Sequence, residues 1–206
     1  MWTSGGIPKA GLNMIVFQPR LLLMIYLVLW VLLLVVEPVL VIRRRSKAGQ
    51  APEDRGFRAL ASFVFITSNV AAIVCLRLFP AESLGGYRTS CLGLAVMLAG
   101  LSLRWWSIIH LGRFFSKDVV IASDHRVVES GPYKLIRHPS YTGLFMFIVG
   151  VALCFGNLVS ALVLLVPFGA LMLRRMRIEE AALSRALGDA YSSYMRRTKR
   201  LIPGIY

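Results

Sequence analysis

Two clusters of polar side chains stand beside long apolar runs in this 206-residue chain, and they are the residues best suited to chemistry. The first cluster lies in GPYKLIRHPSYTG, residues 131–143, and its polar members are Tyr133, Lys134, Arg137, His138 and Tyr141. The second lies in RMRIEE, residues 175–180, where the last apolar run ends. Ionisable groups are costly beside a hydrophobic segment of a membrane protein, so they indicate function. We interpret the two clusters as two walls of one site at the same membrane face.

The two clusters offer complementary chemistry. Pro139 is suited to the first position of a helix, where free backbone amides favour an anionic group. Arg137 and His138 add positive charge there, whereas Glu179 and Glu180 offer acceptors for hydroxyls or for a cation. S-adenosylmethionine would match both walls because it carries a carboxylate, ribose hydroxyls and a sulfonium. The alternative is that the basic residues face lipid headgroups and that the glutamates pair with arginines on their own helix.

Composition places the elements that would position these clusters in a membrane. The chain is 57% hydrophobic and has a mean hydropathy of +0.67, which is unlike an ordinary soluble domain. The apolar stretches 21–42, 59–79 and 90–111 are each long enough for a transmembrane helix, which needs about 20 residues. The stretch 141–173 is too long for one span and carries Gly156-Asn157 near its middle, where a turn would divide it. The sequence predicts an all-α integral membrane protein with five transmembrane helices, the last two as a helical hairpin. Four helices is the alternative.

The net charge of +14 follows a pattern of membrane topology. Twenty of the 24 Lys and Arg residues lie in the segments 43–58, 104–137 and 174–200. Five spans with an outside N-terminus place all three segments in the cytoplasm, as the positive-inside rule requires. We therefore expect a multi-pass protein of the bacterial inner membrane, with the N-terminus outside, the C-terminus cytoplasmic, and the lipid bilayer rather than nucleic acid as its partner. The first apolar run lacks a small-residue cleavage site, which indicates a retained anchor.

Metal and disulfide chemistry are not indicated. The three cysteines lie inside predicted spans and are typical of small packing residues. The three histidines show no i,i+4 spacing and no paired cysteines, so we expect no metal site. Glu37, followed by Pro38 in the first span, either lines a substrate or packing site or reaches toward the arginines at 43–45, and we favour the second interpretation.

Four motifs resemble the isoprenylcysteine carboxyl methyltransferases and their bacterial relatives. They are LRWW at 103–106, LGRFF at 111–115, DHRVVESGPYKLIRHPSYTG at 124–143 and RMRIEEAALSRALGDAYSSYMRRTKRLIP at 175–203. Their order and spacing agree with the family, so the combination is specific. The resemblance begins at about residue 101, and the first two spans match only in hydrophobicity. We therefore divide the single membrane domain, 1–206, into an N-terminal transmembrane part, 1–100, and a catalytic methyltransferase part, 101–206.

The resemblance implies a membrane enzyme that transfers a methyl group from S-adenosylmethionine to a carboxylate of a lipophilic, isoprenylcysteine-like or prenylated substrate. The cofactor site would be cytoplasmic, formed by the insert 112–140 and the C-terminal helix, and Arg175 would orient the substrate carboxylate. The loop 116–123 would add a cofactor contact that we assign to no particular residue. The cofactor-binding residues implied by the family are His125, Val127, Val128, Tyr133, His138, Pro139, Ser140, Tyr141 and Glu179. The cofactor would enter from the cytoplasm and the substrate from the bilayer between helices.

The methyl acceptor stays open at the level of sequence. Relatives with similar C-terminal halves methylate phospholipid amines or small thiols, and such an acceptor would need a proton removed by Tyr or Glu. A membrane reductase that uses NADPH is a further alternative, because sterol reductases end in a motif similar to HPxYxG. Thr142 before Gly143, with no Glu after it, departs from that reductase pattern. A catalytically silent membrane protein is the third class, and the sequence does not fix the oligomeric state.

Overall fold

The computed structural model describes residues 20–42, 56–79, 86–115 and 126–205. These residues form five α-helices and two single turns of 3-10 helix, at Gly112–Phe114 and Gly131–Lys134. The α-helices are α1 (Arg20–Ile42), α2 (Phe57–Leu78), α3 (Gly86–Leu111), α4 (Pro139–Phe155) and α5 (Leu158–Arg197). The described part of the chain has no extended strand beyond an isolated parallel bridge between Ile136 and Lys199. The predicted all-α class is therefore confirmed.

The five helices overlap the four predicted apolar stretches, and the last stretch is divided between α4 and α5 as predicted. Within the described residues, three are long and apolar enough to cross a membrane: Ala59–Leu78 of α2, Gly86–Phe114 at α3 and its following turn, and Leu158–Arg197, which is α5. The apolar helices Arg20–Val36 and Pro139–Phe155 are shorter. The chain is thus a multi-pass membrane protein, and its count of five spans stays a prediction.

The turn between α4 and α5 is the predicted hairpin turn. Gly156 ends α4 with φ 59°, a left-handed conformation that glycine adopts without a Cβ penalty. Asn157 then caps α5, because its side-chain oxygen accepts a hydrogen bond of 2.8 Å from the Ser160 amide. The Asn157 amide also donates to the Phe79 carbonyl after α2, at 2.8 Å. The prediction of a helical hairpin broken at Gly156-Asn157 is confirmed.

Glycines let α3 and α4 pack with their backbones in close contact. A Cβ added to Gly100 would lie 2.5 Å from the Gly143 carbonyl oxygen, and a Cβ added to Gly150 would lie 2.5 Å from the Gly93 carbonyl oxygen. Real Cβ atoms do not approach a backbone oxygen so closely, so only glycine fits. This packing fixes the start of α4, which carries part of the candidate site, against α3.

An aromatic cluster joins the N-terminal helices to the C-terminal ones. The Trp30 ring of α1 lies 5.3 Å from the Phe65 ring of α2 and 5.2 Å from the Phe147 ring of α4. The Phe65 ring also lies 6.3 Å from the Phe168 ring of α5. Ring pairs at these separations contribute to packing beyond their buried area. The first two helices are therefore part of one core with the helices that carry the motifs.

Helix α5 continues well past its apolar part. It has 40 residues, of which the first 30 precede a break at Gly188. At 1.5 Å per residue these 30 residues give about 45 Å, more than the ~30 Å hydrocarbon thickness of a bilayer. Its first part is apolar to Leu173, and the charged part begins at Arg174. Gly188 interrupts the helix with φ 53° and ψ −127°. The residues from Arg174 onward thus extend beyond the membrane-spanning part and carry the second polar cluster.

Candidate active site

The Glu180 carboxylate of α5 is the centre of a buried ion cluster. Oε1 of Glu180 accepts a hydrogen bond from Arg137 Nε at 3.0 Å and lies 3.2 Å from His138 Nε2. Oε2 of Glu180 accepts from Arg200 Nη2 at 2.7 Å. The Glu180 side chain is 8% exposed, so its charge is withdrawn from solvent and compensated by these cations. Three segments that are far apart in the sequence thus meet at one carboxylate.

The C-terminal segment, residues 198–201, forms a strap across the start of α4. The Arg137 amide donates to the Lys199 carbonyl at 2.8 Å, and the His138 amide donates to the Arg200 carbonyl at 3.0 Å. Thr142 Oγ1 donates to the Leu201 carbonyl at 3.0 Å. These contacts hold the segment that leads into α4, and we call residues 198–201 the C-terminal strap.

Arg137 ties the strap to the end of α5. Its Nη1 atom donates to the carbonyl oxygens of Met195, at 3.0 Å, and of Thr198. The Tyr194 hydroxyl donates to the Tyr133 carbonyl at 2.7 Å. Arg137 is only 10% exposed, which argues against a role as a headgroup-facing charge. The headgroup interpretation of this arginine is therefore wrong.

The ionisation of Glu180 is set by its partners. Burial alone would raise its pKa, but hydrogen bonds from His138, Arg200 and Arg137 outweigh burial and lower the pKa to about 2. The group is therefore ionised at neutral pH and committed to cations of the protein. Both arginines lie outside α5, so the alternative interpretation, in which this glutamate pairs with arginines on its own helix, is wrong.

Glu179 points to different partners from its neighbour. Its Oε2 atom accepts a hydrogen bond of 2.9 Å from the Tyr141 hydroxyl, in the first turn of α4. Arg175, one turn earlier on α5, lies on the same helix face as Glu179. The Arg175 side chain is buried, at 4% exposure, and its guanidinium carbon lies 4.9 Å from the centre of the Phe57 ring of α2. The two sequence clusters thus meet in a Tyr141–Glu179 contact beside a buried arginine.

The start of α4 is held by a buried arginine from α3. Pro139 occupies the first helical turn, and the preceding residue His138 makes no side-chain cap. Arg104 Nη1 donates to the Ser140 carbonyl at 3.0 Å and to Ser140 Oγ at 3.1 Å. Arg104 is not among the site residues predicted from the sequence. The available signal was an arginine within a predicted span, which is rarely placed there without a role.

A second group of contacts fixes the turn before α4. His110 Nε2 lies 2.8 Å from Ser130 Oγ, and the His110 ring stacks on the Tyr133 ring at 6.4 Å with an interplanar angle of 23°. Gly131 has φ 57°, and a Cβ there would lie 2.7 Å from the His110 ring. Burial raises the pKa of Tyr133, so its hydroxyl stays protonated. Its hydroxyl donates to the Ser107 carbonyl at 3.4 Å.

The structure brings most of the predicted site residues to one end of the helix bundle. Of the predicted cofactor residues, Tyr133 lies in the turn before α4, Glu179 lies on α5, and His138, Pro139, Ser140 and Tyr141 form the start of α4. Val127 and Val128 lie half-buried in the segment that leads into that turn. The predictions for His125, the loop 116–123 and the side chain of Glu37 fall outside the described residues. Among the described residues, no group of three or more His, Cys, Asp or Glu could hold a metal ion.

Comparison with known proteins relates this arrangement to a family. Residues 92–185 match the isoprenylcysteine carboxyl methyltransferase (ICMT) family. The protein-S-isoprenylcysteine O-methyltransferase of Schizosaccharomyces pombe is 35% identical over 121 residues, which are 57% of this chain and 50% of that protein. Protein-S-isoprenylcysteine O-methyltransferase B of Arabidopsis thaliana is 31% identical over 147 residues, which are 70% of this chain and 73% of that protein.

A solved structure of this family is also similar to the chain. It is described as the eukaryotic intramembrane Ras methyltransferase ICMT without a monobody, and it superposes with a TM-score of 0.58 at 26% sequence identity. The superposition covers 71% of this chain and 53% of that chain. This chain therefore spans about half the length of the fission yeast relative and of the solved protein, and about three quarters of the plant relative.

Proposed function

The chain belongs to the isoprenylcysteine carboxyl methyltransferase family, and we propose that it transfers a methyl group from S-adenosylmethionine to the carboxylate of a lipophilic, isoprenylcysteine-like substrate. The observation that carries this proposal is the contact between Tyr141 and Glu179 beside the buried Arg175. It joins the polar start of α4 to the charged part of α5, so that one site has both an acceptor for a polar cofactor and a cation for a carboxylate.

The polar groups at the start of α4 match the chemical groups of S-adenosylmethionine. The first-turn amides of α4 have no side-chain cap from His138 and suit a carboxylate. Glu179 supplies an acceptor suited to ribose hydroxyls or an ammonium group. Tyr133, His138, Pro139, Ser140 and Tyr141 would complete this wall, with His125, Val127 and Val128 contributed from the preceding segment. When bound, S-adenosylmethionine supplies a methyl group already activated by its sulfonium.

Arg175 is the residue we assign to the acceptor carboxylate. A planar guanidinium can hold a carboxylate through two parallel hydrogen bonds, which fixes its direction as well as its position. Burial of Arg175 strengthens that interaction, because the surrounding dielectric is low. Arg175 therefore orients the nucleophilic oxygen, and orientation of this kind can contribute roughly 7–11 kcal/mol through effective molarity.

The protonation states favour a carboxylate acceptor over an amine or a thiol. A carboxylate is already ionised at neutral pH, whereas a protonated amine or a thiol must first lose a proton. Burial raises the pKa of Tyr133, which disfavours its use as a base. Glu180 is ionised but engaged by three cationic or polar partners, with its pKa lowered to about 2, so it is a weak base. Two of the nearby candidates for proton removal are thus unsuited to it.

Placement in the membrane follows from the same proposal. We propose an N-terminus outside and a cytoplasmic C-terminus in a bacterial inner membrane, since this orientation puts the basic segments inside. The cofactor would then approach from the cytoplasm, where the charged part of α5 lies. A prenylated or otherwise lipophilic substrate would enter from the bilayer between helices, which present apolar side chains to lipid.

The test is a transfer assay with methyl-labelled S-adenosylmethionine and four matched acceptors. These are N-acetyl-S-farnesylcysteine, its methyl ester, an aminophospholipid and an alkyl thiol. We expect base-labile label in the free carboxylate alone, because a methyl ester forms only there. Label that is stable to base and appears in the amine or thiol would overturn the carboxylate assignment while leaving a methyltransferase.

A further inference from the structure

The buried Arg175 is contacted by an aromatic ring from the N-terminal half of the chain. The centre of the Phe57 ring lies 4.9 Å from the guanidinium carbon of Arg175. Phe57 is the first residue of α2 and follows Gly56, whose φ of 84° sets the start of that helix. Residue 57 lies outside the family match at 92–185. The contact therefore brings an element without recognised motifs to the acceptor side of the site.

A ring in this position controls the direction of a guanidinium. Arginine has a long flexible side chain, and the negative face of an aromatic ring attracts its cation within about 6 Å of the ring centre. Stacking uses the face of the guanidinium, whereas its N–H donors lie in the plane and stay compatible with hydrogen bonds to a carboxylate. The ring can thus restrict Arg175 without competing for the acceptor.

The other neighbours of Arg175 place this contact within the site. Arg175 lies one turn before Glu179 on the same face of α5, and the Glu179 carboxylate accepts a hydrogen bond of 2.9 Å from the Tyr141 hydroxyl of α4. Arg175 therefore contacts α2 through Phe57 and lies beside the contact between α4 and α5. Helix α2 is also anchored to α5 further along, where Ser160 Oγ donates to the Ala72 carbonyl at 2.8 Å. The ring is consequently presented by a helix that is fixed against α5.

We propose that Phe57 is a positioning residue that orients Arg175 toward the substrate carboxylate. This inference rests on the proposed function, because it assigns Arg175 to the acceptor. It gives the N-terminal transmembrane part a specific role in substrate recognition: α2 supplies the aromatic wall of the carboxylate subsite. The cofactor side of the site, at Tyr141 and Glu179, does not depend on that wall.

The test measures how well the protein distinguishes a carboxylate from its ester. Binding of N-acetyl-S-farnesylcysteine and of its methyl ester is measured by calorimetry on the full chain in detergent, together with S-adenosylhomocysteine. Phe57→Leu removes the ring but keeps an apolar side chain, and Phe57→Tyr keeps the ring. Phe63→Leu is the matched control, since Phe63 lies on the same helix and is 65% exposed.

We expect Phe57→Leu to reduce the preference for acid over ester roughly tenfold, an effect between those of an exposed and a fully desolvated cation–π contact. Affinity for the ester and for S-adenosylhomocysteine should stay at the wild-type value, and Phe57→Tyr and Phe63→Leu should keep the wild-type preference. In the transfer assay, Phe57→Leu should raise KM for the acid more than it lowers kcat. In an Arg175→Met background, Phe57→Leu should have no further effect on the preference.

Two results would overturn the inference and leave the proposed carboxylate function standing. An unchanged acid preference in Phe57→Leu would show that the ring does not position Arg175, and equal losses for acid, ester and S-adenosylhomocysteine would show a general structural role. If Phe57→Leu does not fold, Phe57→Met provides the same comparison with an unbranched side chain. A wild-type protein that binds S-adenosylhomocysteine without preferring acid to ester would instead contradict the carboxylate function itself, and the inference with it.

Discussion

Glu179 and Glu180 are adjacent in the chain but bind different partners. Successive residues on a helix point in different directions, and here one points toward the Tyr141 hydroxyl and the other toward two arginines and a histidine. From the sequence, both glutamates are predicted to be acceptors for a ligand. In the structure, Glu179 contacts the first turn of α4, whereas Glu180 binds Arg200 and so holds the C-terminal strap to α5.

Glu179→Ala should reduce the affinity for S-adenosylhomocysteine by about 10-fold to 100-fold, the usual range for a hydrogen bond to a charged group. Arg175→Ala should leave that affinity unchanged and lower turnover with the acid substrate. Calorimetry and the transfer assay measure the two effects. Glu129→Ala is the control, because Glu129 is an exposed carboxylate that pairs with Arg197 at 2.7 Å. Unchanged affinity in Glu179→Ala would remove that residue from the cofactor wall.

Glu180→Ala should destabilise the fold by about 3–5 kcal/mol, because it leaves buried Arg137 and its neighbours without a counter-charge. Thermal unfolding in detergent, followed by circular dichroism, measures the change. Glu129→Ala again serves as the control and should shift the midpoint little, since exposed ion pairs contribute about 0–1 kcal/mol. Equal midpoints for Glu180→Ala and the wild type would show that the ion cluster does not stabilise the strap.

The same carboxylate predicts an acid-dependent loss of stability. The pKa of Glu180 is about 2 in the folded protein and about 4.3 for an unfolded glutamate. A lowered pKa gives stability that is complete above the unfolded value and is lost as the pH falls toward the folded value. The stability difference between wild type and Glu180→Gln should therefore be constant above about pH 5 and shrink between about pH 4 and pH 2. A difference that grows on acidification would contradict this.

At the scale of helices, the sequence predicts the fold best where neighbouring residues determine the backbone conformation. The break between α4 and α5 can be predicted from two residues, since Gly156 adopts φ 59° and Asn157 caps the next helix. The C-terminal strap cannot be predicted in this way. Its bridge joins Ile136 to Lys199 across two helices, and no periodicity within either segment specifies that pairing. Contacts between distant segments depend on packing that a single sequence does not display.

The close packing of α3 on α4 predicts different effects on stability for alanine at two of the glycines. Gly100→Ala would place a Cβ 2.5 Å from the Gly143 carbonyl oxygen and should destabilise the protein by about 1–3 kcal/mol, the usual cost of overpacking. Gly169→Ala in α5 is the matched control, because its Cβ would meet Phe145 at an ordinary 3.8 Å. That control should stabilise by about 0.5–1 kcal/mol through helix propensity. Thermal unfolding compares the two, and a Gly100→Ala midpoint at or above that of Gly169→Ala would contradict the packing account.

At the scale of the whole molecule, the first two helices contact the helices that carry the motifs, and one of these contacts lies at the candidate site. The motifs that resemble the family begin at about residue 101, and the sequence before that point matches the family only in hydrophobicity. The structure adds Phe57 from α2 and Trp30 from α1, which contact the C-terminal helices through a cation–π pair and an aromatic cluster. Aromatic residues in an apolar span carry no signal of their own, because the same composition suits a lipid-facing helix.

The proposed function requires this membrane fold to bind S-adenosylmethionine. The most direct test is a calorimetric titration of the detergent-purified wild-type protein with S-adenosylhomocysteine, with NADPH in a parallel titration. We predict saturable binding of S-adenosylhomocysteine at one site per chain and no heat of binding with NADPH. Binding of NADPH without S-adenosylhomocysteine would contradict the methyltransferase assignment and favour a membrane reductase.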